Sequence, residues 1–214
     1  MLRRVVINRR TVPVPVPIRT LADALDWIAV TLVPPGHSIT RVTLDAIDLE
    51  EETIVGSTML TDVSRLELRV DSPCDLSIQS LEAAGNLATI ITRTLKETAV
   101  GLWQLSSSTL APSSLESVRD DLALILDLVD HVRSLVVIAK DTAHALDNIQ
   151  QQLQNSSVGI SMAASSADWK GCARLLLNRL EPQLKQLMDT VGVTQAEILS
   201  LSLYAEGRGA ERAG

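Results

Sequence analysis

The chain has no Phe, one Tyr and three Trp in 214 residues, so aromatics make up 2% of it. Base stacking and sugar binding both rest on ring faces, and this chain offers few. Cysteine is scarce too. Cys74 and Cys172 stand alone and in no metal spacing. That argues against a disulfide framework or a zinc site and fits a reducing cytosol. The three histidines are His37, His131 and His144. His131 and His144 lie 13 residues apart on one helical stretch, too far to share a metal. No metal or cofactor site is expected. No Gly-x-Ser-x-Gly, Gly-rich phosphate loop or Lys-Ser/Thr pair occurs. No uncharged apolar run approaches the ~18–20 residues that span a bilayer, so membrane insertion is not expected. Arg3 and Arg4 lead into a proline-interrupted, strand-like segment rather than the apolar core of a signal peptide. The expectation is a soluble, cytoplasmic protein.

Charge is unevenly placed. The net charge is −7, yet residues 1–19 carry Arg3, Arg4, Arg9, Arg10 and Arg19 and no acid. The other 14 basic residues face all 26 acids. An acidic body repels phosphate backbones and anionic lipid, so nucleic acid is not an expected partner. Arg3, Arg4, Arg9 and Arg10 read either as an anion contact or as the solvated face of a strand pair.

Residues 4–18 read as two strands joined at Asn8-Arg9-Arg10. Pro13, Pro15 and Pro17 strip donors from one side of the second strand, which must therefore lie at an edge or leave the sheet early. Thr20 with Asp23 caps a helix to Val33, with Leu21, Leu25, Ile28 and Leu32 inward, and Pro34-Pro35-Gly36 stops it. Ile39–Leu44 is a strand, then come an Asp45-Ala46 turn, a short Ile47–Leu49 piece and an acidic loop at Glu50, Glu51 and Glu52. Arg65–Val70 is the clearest strand: Leu66, Leu68 and Val70 alternate with Arg65, Glu67 and Arg69.

This order resembles the ubiquitin-like β-grasp fold over residues 3–71. The resemblance rests on Ile39–Leu44 with the turn and Ile47–Leu49, and on Leu60-Thr61-Asp62-Val63 leading into Arg65–Val70. It implies a helix laid across one face of a mixed sheet and a small docking module.

Asp71-Ser72-Pro73 marks a boundary, and the period then becomes helical. Leu81, Ala84, Ala88, Ile91, Leu95, Thr98, Leu102 and Leu105 step by three and four. Gly85 sits among small residues and invites close packing. After a turn at 106–112, Ser113 to Asn155 runs for about forty residues without Pro or Gly. Ser113 and Glu116 give it a capping box, and Asp120 and Asp121 suit its positive end. Leu115, Val118, Leu122, Ile125, Val129, Val132, Val136, Ala139, Ala143 and Leu146 hold one seam, predicting a single long helix. Asn155 to Ser166 reads as a flexible loop, and Ser165 with Asp168 as the next capping box. Trp169, Ala173, Leu176, Leu180, Leu184, Leu187 and Val191 form a third stripe that Pro182 should kink or split and Gly192 should close. Thr194 with Glu197 then caps a short helix to about Ala205.

The fold expectation is α+β: a β-grasp-like domain at 1–71, an antiparallel bundle of three long helices and a short fourth at 74–205, and a disordered tail at 206–214. A long helix of that length overshoots its neighbour, leaving Leu146, Ile149 and Leu153 to dock on the first domain or on a second subunit. Trp27 and Trp103 lie off their stripes and read either as binding anchors or as packing against the neighbouring domain, whereas Trp169 lies on one. Cys74, at a helix start, reads either as a reactive thiol or as a small buried residue.

No local signature of catalysis appears, so the expected function is a non-enzymatic interaction factor, an adaptor or chaperone-like protein. Its partner is another protein or a second copy. Its build is loosely similar to the small acidic helical chaperones of secretion systems, including flagellar export. The competing class is a regulatory or enzymatic domain with a small-molecule site between the two domains.

Overall fold

The computed structural model describes residues 1–15, 17–49, 58–105 and 110–211, with side chains through Leu203. The acidic loop at Glu50–Glu52 and part of the expected 106–112 turn lie outside the described residues. The chain divides into two compact units, Met1–Asp75 and Leu76–Gly214. The architecture is α+β, a five-stranded sheet followed by helices.

The first unit holds β1 (Arg4–Ile7), β2 (Arg10–Pro13), α1 (Leu21–Thr31), β3 (Ser38–Leu44), β4 (Ile47–Leu49) and β5 (Leu66–Asp71). The strand order is β2-β1-β5-β3-β4. β1 pairs parallel with β5, and the other neighbours are antiparallel. This is a mixed five-stranded sheet with one parallel pair.

The sequence dictates its corners. Asn8 and Arg9, and again Asp45 and Ala46, take positive φ, the geometry of two-residue hairpin turns that match strand twist. Asn8 also extends the ladder, because its amide exchanges hydrogen bonds with the backbone of Val70 at 2.7 and 2.9 Å. β2, which ends on Pro13, lies at the sheet edge. Thr20 caps α1, accepting from the Asp23 N–H at 3.2 Å. Leu21, Ala24 and Ile28 are buried in one cluster with Val5, Val42, Leu66 and Leu68.

The second unit is built from α2 (Pro73–Trp103), α3 (Ser113–Leu135), α4 (Lys140–Ser165), α5 (Trp169–Leu175), a π-helical segment Leu176–Leu180, and α6 (Glu181–Glu211). Side-chain pairs fix the directions. Thr89 meets Met188 and Gly85 meets Val191, so α2 and α6 run antiparallel. Arg133 meets Asp147 and Asp130 meets Gln150, so α3 and α4 do as well. Ser156 meets Gln183, and the Cys172 thiol reaches the Ile160 carbonyl, which sets α4 against the α5–α6 arm.

Several helix limits differ from the sequence reading. The long helix from Ser113 to Asn155 does not form, because the chain turns back at Val136–Ala139 and Val136 is extended (φ −133°, ψ 148°). Val136, Val137 and Ile138 are three β-branched residues in a row, which crowd a helix at χ1. Ser113 makes no cap; Pro112 holds that position without a side-chain bond. The expected loop at 155–166 is mostly helix, because Ser156 and Ile160 are buried on the face of α4. Asp168 caps α5 by itself, accepting from the Gly171 N–H at 2.9 Å. Gly192 does not stop α6, which is helical to Glu211 rather than ending near Ala205. Thr194 is buried and donates to the Thr190 carbonyl, so it caps nothing. Of the expected tail 206–214, residues 212–214 lie outside the described residues.

One cap was not anticipated. Ser72 and Asp75 bond reciprocally, Asp75 N–H to Ser72 Oγ and Ser72 N–H to Asp75 Oδ2, with Pro73 in the first turn.

Candidate functional site

The expected overshoot of the long helix does not exist once α3 and α4 fold back. Leu146, Ile149 and Leu153 are fully buried on α4, which packs against α3, α5 and α6. Their apolar surface is covered inside the helical unit, so they present no docking face.

The four arginines do not converge. Arg3 lies 3.8 Å from Asp62, an exposed pair worth little. Arg4 points from the sheet face opposite Val5 and Ile7, Arg9 sits in the hairpin turn, and Arg10 opens β2 across from Ile7. Arg4 and Arg9 are thus at opposite ends of β1, on the order of 15 Å apart at strand rise.

The outward face of the sheet is polar and largely neutralised by its own pairs. Arg41 forks onto Asp48, and Thr43 donates to the same carboxylate at 2.8 Å. These donors hold the Asp48 carboxyl below its ordinary range, the Arg41 hydrogen bonds first. Arg65 pairs with Glu67. Asp71 is buried and accepts from Thr40 at 2.6 Å and from Arg69 at 2.9 Å. Thr40 reaches Asp71 because the β3–β5 register shifts between Ile39 and Arg41.

Trp27 is half-buried against the core of the first unit, and Trp169 is buried in the second. Trp103 differs. It ends α2 with 42% of its surface exposed, and the Arg174 guanidinium of α5 lies 5.6 Å from its ring centroid. Val100, one turn earlier on α2, is exposed as well. Arg174 escaped the sequence reading, since no spacing links residues on separate helices.

Cys74 is half-buried; burial, then the neighbouring Asp75 charge, pushes its thiol up. That disfavours thiolate at neutral pH. Ser80 and His131 stand 3.1 Å apart across α2 and α3, but Ser80 is buried, so the contact satisfies a polar group between helices. Among the described residues, no group of three His, Cys, Asp or Glu could hold a metal. No described helix is long and apolar enough to cross a membrane.

A groove of about 400 Å³ lies between α2 and α6, lined by Leu81, Gly85, Met188 and Val191 together with Glu82, Asn86 and Gln195. Gly85 opens it, and Thr89 donates to Met188 Sδ at 3.3 Å. The chain matches no known family model, no curated protein and no solved structure.

Proposed function

We propose that the protein is a non-enzymatic interaction factor, an adaptor or chaperone-like module that holds another protein against the Trp103 end of its bundle. The observation that carries this reading is Trp103 itself. A large ring stands exposed, with Arg174 over its face and Val100 beside it. A cation over an exposed ring is worth about 0.5–1 kcal/mol, enough to bias its rotamer. A ring already held in place loses little entropy on binding, and Trp and Arg dominate interface hot spots. The acidic body makes a protein partner a better fit than a nucleic acid. Two free thiols support a cytoplasmic setting.

The test is a pull-down from native lysate with wild type and Trp103→Ala, with helical content checked by circular dichroism. A stoichiometric protein that wild type retains and the folded variant loses supports the reading. Equal retention by both refutes the Trp103 face.

A second reading, a regulatory or enzymatic domain that binds a small molecule, draws on the α2–α6 groove. A thermal-shift screen against metabolites tests it, and a shift abolished by Gly85→Leu would favour it.

A further inference from the structure

The corner between α3 and α4 is four residues long, Val136 to Ala139, with neither Gly nor Pro. Val137 is 93% exposed there. The corner breaks the backbone ladder, leaving helix-end groups to other partners. One of them, the Ala139 N–H, is taken by Glu197 of α6.

The buried stripe takes no account of this break. On α3 it runs through Leu115, Val118, Leu122, Ile125, Val129 and Val132. On α4 it resumes at Leu146, Ile149 and Leu153. From Val132 to Leu146 is 14 residues, two whole heptads. Val136, Ala139 and Ala143 occupy the steps between, at intervals of four and three. A helical hairpin has no need of such phase. Its loop absorbs any rotation between the arms, so each arm sets its own stripe. A continuous helix does need it, since both halves must then face one seam.

We propose that Val136–Ala139 is a hinge, and that α3 and α4 also join into one helix from Ser113 to Ser165 in a domain-swapped dimer with a second copy of this chain. At 1.5 Å per residue that helix is roughly 80 Å long. Straightening carries α4–α6 away from α2 and α3 of the same chain. The surfaces so bared fit one occupant, the complementary half of an identical chain. Arg133–Asp147, Asp130–Gln150 and Gly85–Val191 are then remade between copies, as exchange of an identical element requires. The closed form is favoured by the β-branched trio, which resists helix, and by the Glu197 cap. The swapped form is favoured by the hydrogen bonds restored across the corner. A four-residue hinge without Gly leaves the two in balance.

The test refolds the full chain over a series of protein concentrations and separates the species by size exclusion with light scattering. A C74S/D130C/Q150C variant reports the pairing. Asp130 and Gln150 touch at 2.7 Å in the closed form. Fractions are treated with a short bismaleimide and run under denaturing conditions. The expected result is a dimer whose share rises with refolding concentration and which cross-links between chains, beside a monomer that cross-links within one. Replacing two β-branched residues by better helix formers (V137A/I138A) should raise dimer association roughly tenfold or more, since two chains each gain. Replacing both by glycine (V137G/I138G) should lower it. Only monomer at every concentration in wild type and V137A/I138A overturns the proposal, as does a dimer cross-linked only within chains.

Discussion

Leu153→Ala tests the packing of α4 against the rest of its bundle. Leu153 is 0% exposed on α4, one turn before the buried Ser156. Truncating it removes the transfer energy of the lost carbons and leaves a cavity, about 2–5 kcal/mol for such changes. We place this one near ~3 kcal/mol, because Ser156, which donates to Gln183 at 2.8 Å, gives water a foothold at the edge of the void. For a chain of this size that lowers Tm by roughly 6–12 °C. The assay is thermal and urea unfolding followed by far-UV circular dichroism at the helical signal. Leu124→Ala is the control: Leu124 is 48% exposed on α3 and should change stability by about 0.5 kcal/mol or less. A Leu153 left facing water would behave like the control. A cost below about 1 kcal/mol at Leu153, with Leu124 unchanged, refutes the packing described for α4.

Two further outcomes follow from named contacts. Glu197 of α6 accepts from the Ala139 N–H and so caps α4 from another helix. Glu197→Ala should cost about 0.5–2 kcal/mol by urea unfolding, and Glu197→Gln about half of that or less, since Gln keeps the acceptor and loses only the charge at the dipole. Asp48 is held below the ordinary carboxylate range by Arg41 and Thr43. A carboxyl depressed in the folded state lends stability above its unfolded pKa and loses it as pH falls through the folded one. A pH titration by carboxyl-detected NMR should place the Asp48 midpoint below that of a free aspartate, and Arg41→Ala should move it up; an unmoved midpoint contradicts the pairing.

The first unit was legible because its signals are local. Period-two alternation in Leu66–Val70, the capping pair Thr20 and Asp23, and prolines after β2 each name their own structure. The helical stripes were legible for the same reason: Leu81 through Leu102 and Trp169 through Val191 are buried as spaced. What local pattern does not carry is the choice between a straight helix and a hairpin when phase is kept across the corner. The evidence lay in Val136-Val137-Ile138, a weak propensity signal beside a strong periodic one. The stretch Asn155–Ser166 misled in the opposite direction. Its small uncharged residues have no helical signature, and burial of Ser156 and Ile160 overrides that lack. In the candidate site, Trp103 was readable as an off-stripe ring. Arg174 was not, since only the fold sets α5 beside the end of α2.

Pro182 shows how a local rule acts inside a buried helical arm. Proline inside a helix removes one N–H and crowds the carbonyl four residues before it, here Asn178. The expected answer was a kink or a split. The α5–α6 arm is interrupted just upstream, where the turn widens into the π-helical segment Leu176–Leu180 and the Glu181 N–H bonds the Leu176 carbonyl five residues back. A π turn holds one more residue than an α turn, which gives the carbonyl near the proline ring room without ending the helix. Leu176, Leu180 and Leu184 remain fully buried on either side of it, so the apolar stripe survives. Proline fixes where the backbone must yield, and the buried leucines fix how: the adjustment adopted keeps all three in the core.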